Sequence, residues 1–93
     1  MKRRLLRSTA FVRAARRAVK KNPQLARELP LALDRLSDDV FQPLLRSHKL
    51  KGPLAGRWAA SVGFDMRIVF RFVVHEGEEA ILLLTMGSHD EVY

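Results

Sequence analysis

The sequence predicts an α+β domain in which two helices pack on one face of a mostly antiparallel sheet of four to five strands, with one strand at the N-terminus. Three observations carry this prediction. Apolar residues recur with the helical period through residues 10–36. From residue 65 onward they recur with the two-residue period of a strand. Finally, a chain of 93 residues supports one core, so residues 1–93 are expected to form one domain.

The opening segment, MKRRLLRS, is predicted to be an edge strand, because its two leucines lie among cations that discourage pairing with other chains. Ser8 or Thr9 then caps a helix over AFVRAARRAVKKN. The apolar stripe of this helix consists of Phe11, Ala15, Ala18 and Val19. The cations that recur on another face are Arg13, Arg16, Arg17, Lys20 and Lys21. One face is therefore expected to be core and another cationic.

A second helix is predicted over NPQLARELPLALDRL, with Asn22 as its cap and Pro23 in its first turn. Its buried stripe consists of Leu25, Leu29, Leu33 and Leu36. Pro30 removes a backbone donor, so we expect a kink or a division into two short helices. The segment SDDVFQPLL is expected to connect this helix to the sheet.

The second half of the chain has the two-residue period of strands. HKLKG and RWAASVG are short strand candidates separated by a Pro/Gly turn, and DMRIVFRFVV alternates as a half-buried strand does. HEGEE is expected to turn the chain. AILLLTM is apolar on both faces, which predicts a central strand that ends at Gly87.

The charge distribution favours an anionic partner. The net charge is +7, and residues 1–27 hold ten Lys or Arg and no acidic residue. Nucleic acid, a membrane surface or an acidic protein segment could each match this field. The apolar side of the first helix is rich in small alanines, which disfavours the membrane. A solvated face that only keeps the protein soluble remains the alternative.

Composition limits the compartment and the chemistry. There is no cysteine, which suits a reducing compartment. Arginines interrupt any apolar stretch near the N-terminus, and no apolar run reaches membrane-spanning length. A cytoplasmic protein without a membrane partner is therefore expected. No Gly-rich phosphate loop or GxSxG motif is present, so nucleotide hydrolysis and serine esterase chemistry have no support.

Four polar residues beside predicted strands form a candidate catalytic set: His48, Asp65, Arg67 and His89. RNA cleavage without a metal needs a base for the ribose 2'-hydroxyl, a cation for the charged phosphorus centre and an acid for the leaving oxygen. Histidine and aspartate can move the protons, and arginine can supply the charge. Tyr93 could stack on a base.

Other interpretations of these residues are weaker. The ligand types would suit a metal, but no HxH, HxxxH or HExxH spacing places two ligands on one element. No metal or other cofactor is therefore expected. His75 lies in the acidic turn HEGEE and is interpreted as a solvated turn residue.

At HKLKGPLAGRW, DMRIVFRF and LLLTMGSHDEVY the chain resembles the RelE/ParE superfamily of bacterial toxin–antitoxin toxins, most closely its YafQ-like branch. The resemblance implies a RelE-like fold and a ribosome-dependent mRNA endonuclease that cuts in the A site and is silenced by a cognate antitoxin. His48, Asp65, His89 and Tyr93 match functional positions of the branch. His89 is then the principal acid–base residue and Tyr93 the base-stacking aromatic.

The resemblance also implies contacts with ribosomal RNA and mRNA. The basic residues expected to make them are Lys49, Lys51 and Arg57, together with Arg13, Arg16, Arg17, Lys20 and Lys21. Three positions depart from the branch: Ser61 stands where it can carry histidine, Met66 where it can carry tryptophan, and Thr85 where it can carry arginine. Arg67 or Arg57 is expected to replace that arginine at the phosphate.

Two alternatives remain open. The ParE side of the superfamily shares the fold but poisons DNA gyrase through a protein contact, and fold alone does not separate the two activities. A non-catalytic RNA-binding module is the other, and it would tolerate alanine at His48, Asp65 and His89.

Overall fold

The computed structural model describes residues 2–93, and its centre is a five-stranded sheet in the order β1-β5-β4-β3-β2. The strands are β1 Arg4–Arg7, β2 His48–Lys49, β3 Trp58–Val62, β4 Met66–His75 and β5 Glu78–Ser88. The helices are α1 Thr9–Lys21, α2 Leu25–Asp38 and α3 His89–Val92. Short 3-10 turns lie at Pro43–Leu45 and Gly52–Leu54. The predicted α+β class, the edge position of β1 and the interior position of β5 are confirmed.

The sheet is mixed, because β1 pairs with β5 in parallel while the other three pairings are antiparallel. Parallel strands need a long crossover connection, and here both long helices and three strands lie between β1 and β5 in the chain, with α1 beginning the crossover. Ser8 fixes this crossover at its start. Its hydroxyl oxygen accepts the Phe11 N–H at 3.0 Å and donates to the Leu84 carbonyl at 3.0 Å. Of the two predicted caps, Ser8 and Thr9, Ser8 is therefore the one that caps α1.

The second helix differs from the prediction in two respects. It begins at Leu25 after Gln24, because Asn22 and Pro23 form a turn in which the Asn22 side chain accepts the Gln24 N–H at 3.3 Å. It is also one continuous helix through Pro30. Pro30 is exposed, so water can reach the carbonyl one turn earlier that lacks its usual donor. The predicted cap at Asn22 is therefore wrong, and so is one of the two outcomes predicted at Pro30, the division into two short helices.

The main core lies between the two long helices and one face of the sheet. The predicted leucine stripe of α2 is buried, and Leu36 is fully enclosed. The sheet contributes the apolar side chains Ile68, Phe70, Ile81 and Leu83 to the same cluster. The opposite face of the sheet, here called the open face, carries a smaller cluster built on Leu50, Ala59 and Val69, with Leu54, Leu84 and Val92 beside it.

The β4–β5 hairpin has a two-residue turn in which Glu76 and Gly77 both have positive φ, 52° and 80°. This backbone matches the twist of the paired strands. β5 continues one residue beyond the predicted end, since Ser88 still pairs with Met66. Gly87 lies inside the strand, where a Cβ would press on the Glu91 and Val92 side chains of α3. Gly87 thus permits close packing of α3. The prediction that β5 ends at Gly87 is wrong.

The third helix was not predicted. Ser88 accepts the Glu91 N–H through its hydroxyl at 3.3 Å, and the Glu91 carboxylate accepts the Ser88 N–H at 2.8 Å. This reciprocal pair is a capping box, whose S-x-x-E signature is present at residues 88–91. The hydrogen bond from the Ser88 backbone is the main reason that the pKa of Glu91 lies below its ordinary value; the Ser88 side chain, Lys21 and Arg17 lower it further. Within residues 2–93, no helix is long and apolar enough to cross a membrane.

Replacing Leu36 by alanine tests the main core. Leu36 is 0% exposed, so Leu36→Ala is expected to lower the free energy of unfolding by about 2–5 kcal/mol. Leu31 is the matched control on the same helix: it is 53% exposed, and Leu31→Ala should change stability by about 0.5 kcal/mol or less. Urea denaturation measures both. Equal losses in the two variants would contradict the assignment of the buried face.

The Ser88 amide proton reports the capping box directly. Because the folded pKa of Glu91 is lowered, its carboxylate stabilises α3 fully at any pH above the ordinary glutamate pKa. That contribution is lost as the pH falls through the lower folded pKa. In an NMR titration, the Ser88 amide shift should therefore change with a midpoint below the ordinary pKa of glutamate. The titration should vanish in Glu91→Gln, and a midpoint at or above the value of a free glutamate would refute the bond.

Candidate active site

The open face of the sheet brings together residues from opposite ends of the second half of the chain. His48 of β2 lies opposite Ala59 of β3, which in turn lies opposite Val69 of β4. Arg67 is two residues before Val69 on the same strand. Because side chains alternate along a strand, His48 and Arg67 share the open face.

His48 is held at both ring nitrogens. Its Nδ1 lies 3.0 Å from the carbonyl oxygen of Arg46, and its Nε2 lies 2.9 Å from the Tyr93 hydroxyl. A carbonyl only accepts, so Nδ1 must carry the hydrogen. In the neutral ring, Nε2 is then the acceptor and the Tyr93 O–H donates to it. Arg46 has left-handed backbone angles, φ 49° and ψ 39°, which end the 3-10 turn before β2.

Tyr93 connects the two histidines. It lies four residues after His89, and its backbone N–H donates to the His89 carbonyl at 3.1 Å. The two rings meet edge to face with centroids 4.5 Å apart, while the Tyr93 and His48 centroids are 5.9 Å apart. α3 therefore places Tyr93 between imidazoles that are 41 residues apart in the sequence. His89 also lies near the adjacent Asp90, with Nδ1 3.5 Å from the carboxylate.

Asp65 joins this cluster through its backbone. It ends the turn at residues 63–65 between β3 and β4, and its carbonyl accepts the His89 N–H at 3.1 Å. The bond fixes the start of α3 against the turn. The Asp65 carboxylate is exposed and has no hydrogen-bond partner in the described part of the chain.

Arg67 lies on the strand between the two histidine-bearing elements. One guanidinium N–H donates to the Met66 carbonyl at 3.0 Å, which holds the side chain close to its own strand.

The three positions that depart from the YafQ-like pattern divide between the faces of the sheet. Ser61 lies opposite Arg67 and Thr85 opposite Val69, so both have short side chains on the open face. Met66 packs against the main core.

The predicted RNA-binding cations are dispersed. Lys49 lies opposite Trp58, and its ammonium is 5.6 Å from the centre of the indole ring, on the helix side of the sheet. Lys51 and Arg57 are exposed on the loop between β2 and β3. The five cations of α1 are all exposed, and within residues 2–93 none forms an ion pair. Arg17 and Lys21 nevertheless line one cavity together with Glu91 of α3, so α1 meets α3 at this end of the sheet.

Sequence reasoning missed one contributor to the site. The Arg46 carbonyl orients His48, and no residue-type signal marks a backbone oxygen. Among residues 2–93, no group of three carboxylate or imidazole side chains is arranged to hold a metal ion.

Comparison with known proteins identifies the fold. No protein-family profile and no curated protein sequence matches the chain. Several solved structures do. A single-residue mutant of YafQ from Escherichia coli is 15% identical with a TM-score of 0.79, covering 99% of both chains. The YoeB/ParE toxin from Agrobacterium tumefaciens is 16% identical with a TM-score of 0.73, covering 92% of this chain and 98% of that one.

The Escherichia coli DinJ-YafQ toxin-antitoxin complex also matches, at 15% identity and a TM-score of 0.75, covering 100% of this chain and 99% of that one. The resemblance to the RelE/ParE superfamily is thus confirmed for the architecture: an N-terminal strand, two helices and a sheet that ends in the short helix carrying His89. The chain has the RelE/ParE-like toxin fold that the YafQ and YoeB structures share.

Proposed function

We propose that this protein is the toxin of a type II toxin–antitoxin pair and that it acts in the cytoplasm as a ribosome-dependent endoribonuclease, cutting translated mRNA in the A site without a metal. The observation that carries the proposal is the contact of Tyr93 with both His48 and His89 on the open face. Two imidazoles can supply the base and the acid that RNA cleavage by proton transfer needs, and an exposed aromatic ring can stack on a base of the substrate.

His48 is suited to accept a proton. Since the Arg46 carbonyl holds the hydrogen on Nδ1, the lone pair of the neutral ring is on Nε2. In the proposed reaction, Nε2 exchanges the Tyr93 hydroxyl for the ribose 2'-hydroxyl and removes its proton. The 2'-oxygen then bonds to phosphorus, and the bond from phosphorus to the 5'-oxygen breaks. A 2',3'-cyclic phosphate and a free 5'-hydroxyl result.

His89 and Arg67 complete the proposed reaction. His89 gives its proton to the leaving 5'-oxygen, which balances the proton taken by His48. Arg67 faces the same side of the sheet and uses one N–H on Met66, so the rest of its fork of donors is free to bind phosphate oxygens. Tyr93 stacks on a base next to the cleaved bond. The exposed Asp65 carboxylate orients the substrate or relays a proton.

The cations support docking on ribosomal RNA. Arg17 and Lys21 lie at the end of α1 that meets α3, so cations flank the site as well as covering the helix layer. Lys51 and Arg57 extend the positive charge along the loop beside β2. Lys49 adds positive charge on the helix side of the sheet, where its ammonium lies beside the Trp58 ring. A cognate antitoxin is the proposed protein partner, by analogy with the DinJ-YafQ complex.

Replacing His89 by alanine tests the proposal. Induced expression of the wild type should give new mRNA 5' ends at codon-spaced positions in translated messages, and His89→Ala should lower cleavage by about 10²–10⁴-fold. His75→Ala is the matched control, because His75 lies at the far end of β4 opposite Glu78. Growth arrest with intact mRNA in all three strains would reject the nuclease and point to DNA gyrase. Wild-type cleavage in His89→Ala would indicate that His89 is not part of the site.

Substitutions of Tyr93 separate its two proposed roles. Tyr93→Phe keeps the ring but removes the hydroxyl bond to His48, which is worth about 0.5–1.5 kcal/mol and which Nε2 gives up before it binds the ribose hydroxyl, so cleavage should not fall and should rise by at most about 10-fold. Tyr93→Ala also removes base stacking, so its cleavage should be about 5- to 150-fold slower than that of Tyr93→Phe. The rate of cleavage of mRNA on programmed ribosomes measures both. A rate for Tyr93→Phe as low as that of Tyr93→Ala would contradict the stacking role and assign the effect to the hydroxyl.

A further inference from the structure

Phe64 is an aromatic residue that folding does not explain. It is 99% exposed, so it adds nothing to either apolar cluster. It lies in the middle of the turn at residues 63–65, a position where polar residues and glycine are the usual choice. The other large exposed apolar side chains are 44–78% exposed, so each keeps part of its surface buried. A binding role would explain a fully exposed phenylalanine.

The turn that carries Phe64 is hydrogen-bonded to the start of α3. The Asp65 carbonyl accepts the His89 N–H at 3.1 Å. On the other side of Phe64, Gly63 has φ +59° and lies close to the side-chain carboxylate of Glu28 on α2. Phe64 therefore projects from a turn whose following residue is held against α3. Ordering it on binding costs little, because only two side-chain torsions remain to be fixed.

The same contacts place Phe64 beside the candidate active site. Phe64 directly precedes Asp65, whose carbonyl contacts the first residue of α3, and consecutive Cα atoms are about 3.8 Å apart. α3 begins at His89, and Tyr93 directly follows its last residue. The turn therefore borders the candidate active site at the end that carries His89.

We infer that Phe64 is a second base-stacking platform, which holds an unpaired base of the mRNA next to the nucleotide bound at Tyr93. This inference rests on the proposed RNA-cleaving function. Stacking needs a single exposed ring face and accepts any base. A protein contact of comparable strength needs an apolar surround that excludes water, and the turn provides none, since the neighbours of Phe64 are Gly63 and Asp65. The positive charge of the protein favours RNA as the ligand.

The test compares four variants in cleavage of a synthetic mRNA in the A site of programmed ribosomes. Phe64→Ala should lower kcat/KM by about 5- to 150-fold through loss of stacking. Phe64→Leu keeps an apolar side chain without a ring face and should lose as much, whereas Phe64→Trp should keep the wild-type value. Val74→Ala is the control, since Val74 is an exposed residue of β4, the strand that follows the turn, and lies roughly 30 Å from it. Because Phe64 is fully exposed, all variants should retain the wild-type Tm.

Each outcome has a definite meaning. Loss in Phe64→Ala and Phe64→Leu with rescue by Phe64→Trp supports base stacking. Full activity of Phe64→Leu would overturn it in favour of an apolar contact with a ribosomal protein. Full activity of Phe64→Ala would overturn it while leaving the nuclease proposal intact. Absence of cleavage by the wild type would overturn the proposed function and this inference together.

Discussion

The pairing of β5 with β4 is the interaction on which the rest of the structure depends. It extends from the Met66–Ser88 pair to the His75–Glu78 pair, and β5 also pairs with β1 along its other edge. With both edges hydrogen-bonded, β5 can place apolar side chains on both faces: Ile81 and Leu83 in the main core, and Leu84 in the smaller cluster. α1 packs on the same strand. Since α3 follows β5 without a linker, the position of β5 also sets the position of His89 and Tyr93.

Backbone groups orient several parts of the candidate active site. The Arg46 carbonyl fixes the ring of His48, the Asp65 carbonyl fixes the start of α3, and the Ser88 backbone fixes Glu91. Side chains of the site are consequently exposed and free to meet a substrate, while the atoms that position them belong to strand ends and turns. Such a site forms without burying an ionisable side chain, which avoids the large desolvation cost of a buried charge in a small protein.

The two faces of the sheet have different chemical characters. The helix layer buries most of the apolar residues and presents the cations of α1 to solvent, whereas the open face holds imidazoles, a tyrosine and Arg67 above a thin apolar cluster. The faces meet at one end of the sheet, where Arg17 and Lys21 of α1 lie near Glu91. The cations of α1 and the reactive side chains of the open face thus belong to separate layers. A polyanion could contact both layers at the end of the sheet where they meet.

The sequence by itself determined the two long helices and the main strands, because apolar periodicity depends on residue type and spacing: the leucine stripe of α2 was predicted residue by residue, and β4 was predicted from its alternation. It also supplied the S-x-x-E signature of α3, which could have been recognised from residues 88–91. Tertiary structure alone decided that Pro30 is tolerated, since that depends on which side of α2 meets water. Tertiary structure also decided that Lys49 lies on the opposite face of the sheet from His48, because this depends on strand register. It decided the hydrogen bond between Tyr93 and His48, because these residues are far apart in the chain.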